Sequence, residues 1–163
     1  DFEAEGRDAA IHLGQAHWPG AQLEALMQEE ILVVCRADLA EGLQAPLDLR
    51  GVPLLQLQSR RRAWPRWFRR LDLDVEDAGR GPLFEHHMMV IPAALAGLGV
   101  ALLPTFLIEE ELEAGRLVSP FPDLRFPGLN AYYLAYPEAS RQLPALISFR
   151  EWVARELNRS LED

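Results

Sequence analysis

From residue 82 to residue 115 short apolar runs and glycine-stopped segments follow one another with almost no spacer. Pro82-Leu83-Phe84-Glu85 suits a strand edge, and His86 to Ala96 reads as a nearly all-apolar helix with Gly97 and Gly99 at its end. Val100 to Pro104 follows as a buried strand, and Thr105 to Ala114 as an acidic helix stopped at Gly115. The first half has the same rhythm. Asp8 to Gly14 reads as a short buried strand, Ala16 to Gly20 as a turn, and Glu30 to Cys35, rich in β-branched residues, as a strand. Ala37 to Gly42 and Pro46 to Gly51 suit short helical turns. Val52 to Gln58 is again a strand, with Ser59 placed to cap a helix from about Arg61 to Leu71. Leu117 to Phe121 and Ala131 to Tyr136 complete the strands, and Pro144 to Asn158 closes the chain with Leu146, Phe149, Trp152, Val153 and Leu157 on one stripe. Strand-to-helix alternation of this kind demands an α/β sheet, expected to be mostly parallel. Pro92 falls inside the helix from His86, where it removes one backbone hydrogen bond and is expected to bend it.

A chain of 163 residues, 49% hydrophobic, buries enough surface to hold a core without disulfide or metal. The single cysteine, Cys35, cannot form an internal disulfide. No apolar run is long enough for a membrane span, and the acidic opening Asp1 to Glu5 is unlike a signal peptide, so a cytoplasmic location is expected. The formal charge of −9 argues against this chain gripping a phosphate backbone by itself. Every base is Arg, and six of the sixteen lie in residues 60–70, which contain no acid.

Motifs for catalysis are absent: there is no glycine-rich phosphate loop, nucleophile elbow or His-Glu-x-x-His pair. His86 and His87, adjacent on a helix, point about 100° apart and cannot chelate one ion, so no metal site is expected. Cys35 suits a small buried hydrophobe, and Glu109, Glu110, Glu111 and Glu113 a solvated helix face. In the basic stretch Trp64, Trp67, Phe68 and Leu71 recur at i, i+3, i+4 and i+7. That spacing buries the rings and leaves Arg61, Arg62, Arg66 and Arg69 wet, which disfavours nucleic-acid contact through stacked bases.

Four stretches in order carry a family likeness: Ala9 to Gly14 through Trp18-Pro19-Gly20, the Trp64-x-x-Trp67-Phe68 helix, Phe84-Glu85-His86-His87, and Ala93 to Pro104. Together they resemble the effector-binding domain of a LysR-type transcriptional regulator, most closely the subgroup related to the glycine-cleavage activator. The resemblance implies a two-lobed periplasmic-binding-protein-like fold of α/β class, with two crossover strands and a small-molecule cleft between the lobes. On that template residues 1–35 and 117–163 are lobe I and residues 36–116 lobe II. Since domains of that family begin earlier, the resemblance leads one to expect that the first strand and helix of lobe I are missing from this sequence. DNA contact falls to an absent winged helix-turn-helix, and the full-length protein is expected to be a homodimer or homotetramer.

In open α/β sheets a ligand sits beyond the carboxyl ends of the strands, where helix N-termini offer unpaired N–H groups. The candidates there are Gly14 and Trp18 after the first strand, Ser59 and Arg60 after Gln58, Glu85, His86 and His87 after Phe84, and Pro104 where its strand ends. Arg60 and a helix N-terminus favour an anionic effector, Glu85 opposes one, and Trp18 or Trp64 supplies an apolar wall unless Trp64 is simply core. The expected function is that of a sensor without catalysis or cofactor, regulating transcription by shifting between two lobe arrangements. The alternative is a solute-binding protein of the same fold, and an enzyme reusing it comes third.

Overall fold

The computed structural model describes Phe2 and residues 6–159. The chain forms two compact units, residues 1–29 with 127–163, and Glu30–Phe126. Residues 30–35 and 117–126 thus cluster with the second unit.

In the first unit β1 (Ala10–Gly14) pairs antiparallel with β6 (Phe126–Tyr136), Ala10 opposite Ala135 and Gly14 opposite Ala131, and β6 lies beside β2 (Gln22–Val34). The small core joins Leu134 and Tyr136 of β6 to Leu146 of the long helix α5 (Pro144–Arg159), with Ala9 and Leu26 against them. A charged knot fastens the helix to the strands. Arg150 donates from Nε to the Glu24 carboxylate at 2.8 Å and from its second nitrogen to the other oxygen, which also accepts from the Tyr136 hydroxyl. The Arg150 guanidinium lies 5.3 Å from the Tyr136 ring centre.

Two expectations fail in this unit. β1 is not a buried strand: it is an edge strand whose alternation turns Ile11 outward, 60% exposed. On α5 only Leu146 and Val153 of the apolar stripe are buried, whereas Phe149 and Trp152 flank the contact and stay exposed.

The second unit opens with the end of β2, whose residues Ile31 to Val34 pair antiparallel with β5 (Ala101–Pro104). Between them the chain forms α1 (Ala37–Ala40), a 3-10 helix over Pro46–Gly51, β3 (Gln56–Leu57) and a 3-10 helix over Gln58–Arg60. α2 (Ala63–Arg70), β4 (Leu83–Phe84) and α3 (His87–Leu95) follow. A further 3-10 helix, Thr105–Leu107, and α4 (Glu109–Glu113) divide the expected acidic helix in two. α3 runs on through Pro92, which has no N–H to give the Met88 carbonyl.

Alternate residues of β2 and β5 feed two apolar clusters on opposite sides of the sheet. Leu32, Val34, Ala101 and Leu103 join α3, with Leu112 of α4 packed alongside. Val33, Cys35 and Val100 join Trp64, Trp67 and Phe68 of α2. The α/β class holds, but the mostly parallel sheet does not. Among the described residues β3 with β4 and the Leu54–Val100 bridge are parallel, whereas β1–β6 and β2–β5 are antiparallel.

The strand expected over residues 52–58 is reduced to Gln56–Leu57, with Leu54 in a single bridge to Val100 before it and Gln58 already in the 3-10 turn after it. Leu117 to Phe121 contributes a single Cys35–Val118 bridge. Ser59 does not cap α2, because a 3-10 turn intervenes and the cap position falls to Arg62, which makes no side-chain capping bond.

Candidate functional site

The candidate residues divide between the units. In the first, Gly14 ends β1 and half-buried Trp18 follows it. The His12 ring stands edge-on to Trp18, centres 5.0 Å apart, and its Nε2 lies 2.6 Å from where a Cβ on Gly14 would be. Gly14 is therefore what lets the imidazole fold over the strand end. Phe2 packs on Trp18 as well, with centres 5.3 Å apart.

In the second unit an apolar depression opens at the carboxyl end of β3. Leu55, Gln56, Leu57, Arg60, Ala63 and Trp64 form one side, and His87, Val90, Leu102 and Leu103 the other. Three of the candidate residues, Arg60, Trp64 and His87, thus meet there. Ser59, Glu85, His86 and Pro104 stand outside it: Ser59 on the exposed 3-10 turn, Glu85 exposed after β4, and Pro104 buried opposite Ile31.

His86 is the N-cap of α3. Its side chain makes no capping bond, while its carbonyl accepts from the backbone N–H of Met89 at 3.0 Å. No acid lies in the first turn of α3, so the partial positive charge of this helix end has no carboxylate on the helix itself to offset it.

Two lining residues are held by the fold. The Trp64 indole N–H donates to the Leu55 carbonyl at 3.0 Å, which makes Trp64 a core residue with one edge on the depression. Gln56 is buried, and its amide donates to the carbonyls of Leu54 and Ala78. Sequence reasoning missed Gln56, for nothing in a glutamine between two leucines announces that its amide will tie a loop to a strand.

Among the described residues no group of three or more His, Cys, Asp or Glu is arranged to hold a metal. Burial, with the nearby Asp38 charge, pushes the Cys35 thiol up to about 11, so it is a protonated packing residue rather than a nucleophile.

Residues 2–158 match the model of the LysR substrate binding domain. The chain belongs to this family. It is 39% identical over 156 residues to the glycine cleavage system transcriptional activator of Escherichia coli K12, covering 94% of this chain and 50% of that protein. It is 35% identical over 159 residues to the HTH-type transcriptional activator AmpR of Providencia stuartii, covering 98% of this chain and 53% of that one. The chain therefore spans about half the length of these curated relatives. The effector domain of AmpR from Pseudomonas aeruginosa superposes with a TM-score of 0.84 at 29% identity, over 98% of this chain and 76% of that structure. The fold is accordingly that of LysR effector-binding domains, periplasmic-binding-protein-like and α/β. The similar curated proteins are transcriptional regulators, which favours the regulatory-domain reading over the solute-binding one. No helix of the described residues is long and apolar enough to cross a membrane.

Proposed function

We propose that this LysR substrate-binding domain senses a small-molecule effector on behalf of a transcriptional regulator, with its two compact units as lobes I and II. The observation that carries the reading is the match of nearly the whole chain to LysR effector domains. In the second unit the ligand group would meet Arg60, His87 and the open N-terminus of α3, against the apolar wall that includes Trp64. In the first unit Gly14 and Trp18 would contribute. A guanidinium and a helix N-terminus suit an anion, while the exposed Glu85, outside the depression and next to that helix start, weighs against a purely anionic ligand. The ligand acts by differential affinity. A compound that binds one arrangement of the lobes more tightly shifts the population toward it, and in a full-length dimer or tetramer that shift would re-space DNA-binding heads elsewhere in the protein, in the cytoplasm. No step on the ligand itself is required, so the domain is not an enzyme.

The test is a thermal-shift screen of the chain against small metabolites, with substrate consumption followed in the same wells. Reversible stabilisation without turnover supports a sensor. Product formation replaces it with an enzyme. A hit that stabilises wild type but not R60A assigns the anion to the second unit, and a hit indifferent to R60A removes Arg60 from the site.

A further inference from the structure

His12 of the first unit is a half-buried polar ring that the fold orders without using its hydrogen-bonding groups. Alternation along β1 puts Ala10, His12 and Gly14 on one face and Ile11 and Leu13 on the other. There the imidazole is fixed by other rings. Trp18 stands edge-on with centres 5.0 Å apart, and Tyr133, opposite His12 in the strand pair, is tilted at 6.4 Å. The ring folds along the strand toward its carboxyl end, where Nε2 fills the space that a Cβ on Gly14 would need, 2.6 Å away. Among the described residues neither ring nitrogen has a hydrogen-bond partner, and no carboxylate pairs with the ring. Trp64 and Gln56 differ in this respect, because their N–H groups are already committed to backbone carbonyls.

We propose that His12 is the specificity-determining residue of the first unit, donating a ring N–H to a carboxylate of the effector while Trp18 covers the apolar body beside it. This deepens the sensor reading above and rests on it. The chemistry of the ring selects the carboxylate. A donor is present in either protonation state, since neutral imidazole keeps one N–H and imidazolium has two. No acid among the described residues competes for it. A charged acceptor makes the stronger hydrogen bond, and packing against Trp18 and Tyr133 has already restricted the donor, so little rotamer freedom is lost on binding. Gly14 then acts through His12. A methyl group at that position displaces the imidazole from the strand end without itself meeting the ligand.

NMR titration of the chain with benzoate, and with benzyl alcohol as its uncharged counterpart, tests this. Benzoate should move the His12 ring resonances, identified by their absence in H12F, and benzyl alcohol should move them far less. H12F keeps a ring for Trp18 and Tyr133 to pack on, so its unfolding midpoint should stay close to that of wild type. Its benzoate affinity, read from the Trp18 indole N–H, should nevertheless fall about ten-fold or more. H12Q restores an N–H donor and should bind better than H12F. G14A should weaken benzoate about as much as H12F does, and G14A/H12F no more than H12F alone, because the methyl group works by displacing the imidazole. H12F that binds like wild type, H12Q no better than H12F, or a G14A loss undiminished in the H12F background overturns the proposal. So does an equal response to benzyl alcohol, or benzoate that moves nothing in the first unit. Benzoate that moves His87 but not His12 overturns it while the sensor reading stands, whereas that reading fails separately, by turnover in the metabolite screen.

Discussion

At the scale of single residues, Glu24 shows how far a surface-near carboxylate can be committed to the fold. Partial burial works against its charge, but the Tyr136 hydroxyl and the Arg150 guanidinium together hold its pKa below the usual carboxylate value of 4.5. A folded value below the unfolded one means that the charged form contributes stability in full above about pH 4.5, and that this is lost as pH falls through the folded value. The unfolding midpoint of E24Q should therefore lie below that of wild type at neutral pH and converge on it toward pH 3, as urea titrations along a pH series would show. Gly99 makes a different demand. It has φ +158°, and a Cβ there would lie 2.2 Å from the Pro53 carbonyl oxygen, which already accepts the Val100 N–H at 2.9 Å. G99A must displace backbone and should cost about 2–4 kcal/mol. G51A, where nothing lies within 4 Å, should stay within about 0.5 kcal/mol in the same denaturation experiment. Much of this level was hidden from sequence: the order Glu24, Tyr136, Arg150 carries no spacing that would announce a shared knot.

Elements were legible where periodicity and burial agreed. α2 is the clear case, its rings buried and its guanidinium groups outside as the i, i+3, i+4 spacing requires. Its two tryptophans nevertheless differ. Trp64 donates to the Leu55 carbonyl, whereas the buried Trp67 N–H has no partner among the described residues. W64F leaves a carbonyl unpaired and W67F removes an unpaired donor, so W64F should be the more destabilising by about 1–2 kcal/mol in chemical denaturation. The first part of β2 was missed for the opposite reason. Gln22 to Glu29 is composed of Gln, Leu, Glu, Ala and Met, all good helix formers, and it is extended only because β6 lies beside it. Ser59 misled as a cap because a serine before a basic run signals a helix start without saying that a 3-10 turn comes first. At the candidate site the strand ends were readable, since turns and helix starts mark them, but the wall of the depression was not. Gln56 and Leu102 reach it through pairing between distant segments.

On the scale of the molecule the two units differ in what holds them. The second unit is one uninterrupted stretch, Glu30–Phe126, containing both larger apolar clusters, whereas the first is assembled from two separate stretches around a few buried side chains. Residues 30–126 expressed alone should therefore fold and unfold cooperatively, with circular dichroism and calorimetry giving one coincident transition; a polypeptide without a thermal transition would show that the sheet depends on the remainder. The two-lobed α/β organisation was readable from family likeness, and the exact points of passage between units were not, because β2 and β6 continue through them as unbroken extended chain. Those passages, after Glu29 and after Phe126, are the whole covalent wiring of the second unit. Just on the near side of them Gly128 lies so close to the buried Glu29 that a methyl group would strike the carboxylate side chain. An added methyl group at Gly128 therefore falls on the Glu29 side chain beside both passages, and G128A should loosen the packing of the first unit there while the uninterrupted second unit keeps its own clusters.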